Sequence, residues 1–226
     1  TDIQGATQKE TPTFNTTATN LNGDKIAVTP SAEYPAKLVD PATGRTTDAT
    51  SVTVAGEGTY TINPTTGEVT FTPEPSFVGT AKGIEVTLSA PVGRNKDGKV
   101  QAEYIKTATA KYTPTVVGVT PTATPAETKD IQGATQTGKP EFKGGTVEVN
   151  GVEKTVPINE DVPATFDDGS TTKTVEGVGT FTVAADGTVT FVPEPNFVGT
   201  APAVTVVRED KNGTKASATY TPTVVG

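Results

Sequence analysis

The sequence contains no cysteine, histidine, methionine or tryptophan. Without cysteine no disulfide can staple the fold, so order must come from packing or another cross-link. Without histidine or cysteine the usual base and the usual thiolate are both missing, which closes the common routes of nucleophilic catalysis. The lack of Cys and Met also leaves the chain hard to oxidise, which suits an exposed surface. Leucine is scarce too, with 3 residues against 28 Val, 7 Ile and 47 Thr. β-Branched side chains lose rotamer freedom in helices and pack well on a pleated surface, so this is an all-β composition. Leu, Ile, Val and Phe total only 46 of 226 residues, which predicts a thin core. A net charge of −8 with no basic cluster argues against nucleic acid and anionic membranes as partners. No signal peptide, membrane run or sorting tail is read in the sequence, which is therefore not expected to report its own targeting.

What the chain does have is repetition. DIQGATQ occurs at Asp2 to Gln8 and again at Asp130 to Gln136, and the residues from Asp2 to Val28 stay in phase with the second copy at an offset of 128. That alignment pairs Phe14 with Phe142 and Asn22-Gly23 with Asn150-Gly151. GTYTI from Gly58 meets GTFTV from Gly179, TPEPSFVGTA from Thr72 meets VPEPNFVGTA from Val192, and YTPTVVG closes both copies at Gly118 and Gly226. Offsets shrink between these blocks and not inside them, as loop insertions do. The extra length of the first copy falls around Val39 to Thr53 and Lys99 to Lys111.

Alternation then supplies strands. Val147 to Val149 and Val152 to Val156 flank Asn150-Gly151, a pair suited to the two positive φ angles of a type I′ turn. Phe181, Val183, Val189 and Phe191 form a second hairpin around Asp186-Gly187, with Tyr60, Ile62, Val69 and Phe71 as its counterpart. There the turn carries Asn63-Pro64 and is expected to be wider. Pro73-Glu74-Pro75 and Pro193-Glu194-Pro195 should end strands, after which Phe77 and Phe197 fold back onto the core. The reading is all-β: two tandem Ig-like β-sandwich modules over residues 1–118 and 130–226, joined by an extended Thr/Pro linker over 119–129.

The DIQGATQTGKPEF opening, the PEP-x-FVGTA block and the YTPTVVGVTPTATPAET junction resemble the CshA-type fibril repeats of streptococcal cell-surface adhesins. The resemblance covers nearly the whole chain. It implies a stalk module of a fibrillar adhesin on a Gram-positive surface, extracellular and wall-anchored through other regions, spacing a distal adhesive region from the wall. Adjacent repeats are the implied partners, and host matrix proteins would be met by other parts of the parent. The alternative is a binding module whose own loops, such as Val39 to Thr53, contact matrix protein, glycan or neighbouring fibrils.

Three chemistries compete with these readings. Glu74, Glu194, Asp167 or Asp168 could form a glycosidase-like carboxylate pair, but the two glutamates sit between prolines at strand ends. Asp167-Asp168-Gly169, Asp186-Gly187 and Asp210 to Gly213 put hard oxygens on loops, yet in no calcium-loop spacing. An intramolecular Lys to Asn isopeptide bond would need a buried trio that nothing singles out. The chain is therefore read as no enzyme, with no catalytic, cofactor-binding or metal residue and no cofactor.

Overall fold

Along Gly58–Ile62 and Val69–Pro73 the residues Tyr60, Ile62, Val69, Phe71 and Pro73 are buried while the threonines between them face outward. The same pattern recurs along Gly179–Val183 and Val189–Pro193. A period of two buries one face of a sheet and leaves the other wet, and this alternation sets the architecture. The computed structural model describes every residue, Thr1–Gly226, with one 3₁₀ turn, Ala102–Tyr104, and otherwise strands and loops. The chain divides into Thr1–Gly118 and Val119–Gly226.

In the first unit one antiparallel sheet runs Gln8–Glu10, Val69–Pro73, Gly58–Ile62, Ser51–Val54, and a second runs Ile105–Tyr112, Ile84–Pro91, Lys37–Asp40, Arg45–Thr46. The second unit repeats the first sheet as Gln136–Gly138, Val189–Pro193, Gly179–Val183, Thr172–Val175. Its other sheet runs Ala126–Ile131, Lys215–Val225, Val204–Glu209, Thr165–Phe166. In each unit three aromatic contacts line the interior in the same order, one of them between the sheets. Tyr60 meets Phe71 at 4.8 Å and meets Tyr112, on the opposing sheet, edge-on at 6.3 Å. Phe181 meets Phe191 at 4.6 Å and Tyr220 edge-on at 6.4 Å. These separations lie in the favourable range for ring pairs, and they join two sheets face to face into a β-sandwich. Phe77 and Phe197 fold back against this cluster at 6.4 and 6.5 Å, though both stay half-buried. Each fully buried ring contributes about 1.5–3 kcal/mol relative to exposure.

The turns follow their residues. Asn150 (φ 50°) and Gly151 (φ 79°) close Gly145–Val149 onto Val152–Val156 in the expected two-residue turn. Asn22-Gly23 behaves differently. Only Gly23 takes a positive φ, and Asn20 Oδ1 accepts from the N–H groups of Asn22 and Asp24, so a side-chain turn replaces the tight hairpin. The Asn63-Pro64 connection is wide, with the Gly67 N–H donating to the Asn63 carbonyl at 2.7 Å. Both PEP strands end at their first proline, Pro73 and Pro193. The extra residues of the first unit add Arg45–Thr46 beside Lys37–Asp40; in the second unit Thr165–Phe166 takes the place of Lys37–Asp40, and no strand corresponds to Arg45–Thr46.

One expectation is overturned. Residues 119–129 are not a free spacer but part of the second unit. Thr122–Thr124 pairs antiparallel with Glu141–Lys143, and Ala126–Ile131 pairs parallel with the last strand. Threonine and alanine at 122–124 suit a strand as readily as a polyproline segment, and the prolines stand outside the pairing. Gly145 makes room for this docking. A Cβ there would lie 2.2 Å from the Thr120 carbonyl oxygen and 2.5 Å from Val119 Cγ2.

The terminal strand pairs as candidate functional site

The backbone enters and leaves each folded unit along paired terminal strands. Val119 and Pro121 are buried, Thr122–Thr124 follows along Glu141–Lys143, and the exposed Pro125 marks the point at which the chain changes partner. A residue without an N–H belongs where one ladder stops and the next begins. From there Ala126–Ile131 runs parallel to the closing strand through six pairs, Ala126 opposite Tyr220 to Ile131 opposite Val225. The Gln132 N–H then donates to the Val225 carbonyl at 2.8 Å. In the first unit Asp2–Ile3 pairs parallel with Val116 and Val117, the counterparts of the last two of those six, and the Gln4 N–H donates to the Val117 carbonyl.

Side chains tie the ladder to the opposite sheet. Thr128 Oγ1 donates to Gln136 Oε1 at 2.6 Å, so the Tyr220 hydroxyl, 2.5 Å away, must donate to Thr128, which has only one proton to give. Gln136 Nε2 donates in turn to the Thr223 carbonyl at 2.9 Å. The relay begins and ends on the closing strand and passes through the entering strand between. Burial pushes the Tyr220 phenol above its ordinary value. The first unit keeps the final step, with Gln8 Nε2 donating to the Thr115 carbonyl at 2.8 Å.

The residues weighed for chemistry are dispersed. Glu74 and Glu194 are exposed turn residues, one in each unit, whose carbonyls accept from the N–H groups of Phe77 and Phe197. Asp167 and Asp168 lie 2.8 and 3.9 Å from Lys173 Nζ, and Asp168 also accepts from Ser170, whose hydroxyl and N–H hold its carboxyl below the usual range. Asp186 is likewise lowered, first by the Thr188 N–H. Asp210 is fully buried and accepts from the N–H groups of Asn212 and Thr214 at 2.8 and 3.0 Å. Asn95 accepts in the same way from Asp97 and Lys99, so this loop is a turn that either Asp or Asn can close. No group of three metal-ligating side chains forms, and no lysine is buried where an isopeptide bond would need one.

Sequence reasoning missed a buried polar pair in the first unit. Glu57 Oε1 accepts from the Lys82 N–H at 2.5 Å, while Glu57 Oε2 and the Tyr60 hydroxyl are both buried without a hydrogen bond. Burial first, and then the Glu57 charge, raise the Tyr60 phenol above its ordinary value. The second unit has Val178 and Phe181 at these positions, and that joint change between copies was the available signal.

The model of the surface adhesin CshA repetitive domain matches residues 1–116 and again residues 118–224. Among solved structures the chain is similar to repeat domain 13 of the fibrillar adhesin CshA from Streptococcus gordonii, at 58% identity over 30% of this chain and 86% of that one, with a TM-score of 0.19. It is also similar to the I9–I11 tandem from titin, at 11% identity, covering 100% of this chain and 62% of that one with a TM-score of 0.33. Drosophila N-cadherin EC1–3 is similar at 15% identity, covering 100% of this chain and 63% of that one with a TM-score of 0.28. The chain thus spans less than two thirds of the titin and cadherin fragments. No curated protein matches it. Two successive matches that together span nearly every residue, on units whose strands and aromatic contacts recur in the same order, place the chain in the CshA repeat family as two tandem modules of an extracellular, cell-surface adhesin.

Proposed function

We propose that these modules are the stalk of the fibril: spacers that hold a distal adhesive region away from a cell wall to which other parts of the parent protein are anchored. The observation that carries this reading is the parallel pairing of first and last strand. In each unit the chain enters at one end of the ladder and leaves at the other, so every copy advances the backbone instead of returning it. Nothing else is needed for the role, because copies in series add length and their stabilities add by unit and by neighbour. Host matrix proteins are then met by other regions of the parent.

The test is binding of the two-unit chain to immobilised matrix proteins that the full-length adhesin captures. The spacer reading expects no retention above a blank surface, and retained affinity would overturn it.

A second reading draws on one feature of the first unit. The Lys37–Asp40 and Arg45–Thr46 hairpin helps to line a groove of about 350 Å³ with Tyr34, Thr87, Ser89 and Thr107. An aromatic ring beside a row of hydroxyls suits a glycan. Binding that is lost on deleting this hairpin and keeping the second unit intact would favour it.

A further inference from the structure

We infer that the parallel pairing of Ala126–Ile131 with the closing strand is a shear lock, the element that sets how much pulling force the second unit withstands. The inference rests on the spacer reading, since a stalk under flow carries tension along its backbone.

Direction is decisive. In a parallel pair the entering end of the first strand and the leaving end of the last lie at opposite ends of the ladder. Tension applied through the chain therefore slides one strand along the other, and all the ladder bonds must strain together before any breaks. An antiparallel pair would place entry and exit at the same end, where bonds open one after another under a much smaller load. The second unit sets six consecutive pairs in this arrangement, Ala126 opposite Tyr220 to Ile131 opposite Val225.

Two further features keep the ladder from peeling. The Tyr220 to Thr128 to Gln136 to Thr223 relay fastens the entering strand to the closing one from the interior side. On its other side the closing strand is held by Gly199–Thr200, antiparallel at Val224 and Thr223, and by Val204–Glu209 along its first half. The closing strand is thus fixed in the body of the sandwich, and sliding of Ala126–Ile131 is the motion left to the load. Upstream, Thr122–Thr124 along Glu141–Lys143 must also be drawn out. Forced unfolding is governed by the rate of crossing the unfolding barrier and not by equilibrium stability, so an element of this kind can raise mechanical resistance without raising the melting temperature.

The absence of cysteine makes the test clean, because introduced thiols define the pulling points. Single-molecule force spectroscopy would stretch the two-unit chain between its N- and C-termini, and in a second geometry between its N-terminus and a thiol from Lys211→Cys. Lys211 is exposed in the turn before the closing strand, at the same end of the ladder as the entry of Ala126, so this tether peels the lock instead of shearing it. The expected result is a high-force rupture of the second unit under end-to-end pulling and its loss under the Lys211 tether, with the first unit still rupturing at its own force as an internal reference. Thr128→Val, which removes the relay and leaves the backbone pairing, is expected to lower the end-to-end rupture force. Equal rupture forces of the second unit in both geometries would overturn the lock. That outcome would leave the spacer reading standing, since the latter falls on retained matrix binding alone.

Discussion

Tyr60→Phe should stabilise the first unit, and the reciprocal Phe181→Tyr should destabilise the second. The Tyr60 ring is fully buried, and its hydroxyl makes no hydrogen bond of good geometry, although the Glu57 carboxylate and the Gly83 N–H lie close enough to act on it. A buried polar group left unpaired costs about 1–3 kcal/mol, so deleting this one should return about 1 kcal/mol after allowance for the small void created. Phe181 shows that the ring alone fits, because its contacts to Phe191 and Tyr220 differ from those of Tyr60 by only about 0.1–0.2 Å. The new hydroxyl of Phe181→Tyr would face Val178, which offers it no partner. Hydrogen exchange read by mass spectrometry on the intact chain reports each unit through its own peptides. A gain of about 1 kcal/mol would slow globally protected amides of the first unit about fivefold. Phe181→Tyr should speed those of the second unit by a comparable or larger factor. Faster exchange of the first unit in Tyr60→Phe, or no response of the second to Phe181→Tyr, would refute the orphaned-hydroxyl argument.

Three further outcomes follow from the packing. Gly145→Ala puts a Cβ against the Thr120 carbonyl, so amides of Thr122 to Thr124 should lose protection, by NMR exchange, at a cost of about 1–3 kcal/mol to the second unit. In alkali the first unit should fail before the second. Tyr60 is raised and Tyr112 is pushed up to about 12, both chiefly by burial, so the folded unit keeps protons that the unfolded chain releases above pH 10. Their contribution is whole below that pH and is lost as pH climbs toward the folded values; circular dichroism and exchange along an alkaline titration would check the order of loss. Tyr60→Phe should reduce this alkaline sensitivity and leave neutral-pH structure unchanged.

Much of this architecture could be read from residues. Alternating Val, Tyr and Phe against Thr placed the central hairpins, Asn150-Gly151 fixed its turn through two positive φ angles, and Pro73 and Pro193 stopped their strands where a missing N–H must stop them. Asn22-Gly23 shows the limit: the dipeptide permits a tight turn, but Asn20 captures the neighbouring N–H groups with its side chain and a wider loop results. The 119–129 segment was misread for a related reason. Threonine between prolines has no intrinsic preference strong enough to choose between an extended spacer and an edge strand, and the choice is made by Gly145 and Tyr220, residues distant in sequence. The Glu57–Tyr60 pair was equally hidden, since a lone Glu after a glycine reads as a solvated turn.

The closing strands carry one more consequence. YTPTVVG is identical in both units, and each is completed by an opening segment that contains Asp-Ile, at Asp2–Ile3 and at Asp130–Ile131. During refolding either opening segment can therefore register against either closing one, giving the chain a built-in route to misassembly between neighbours.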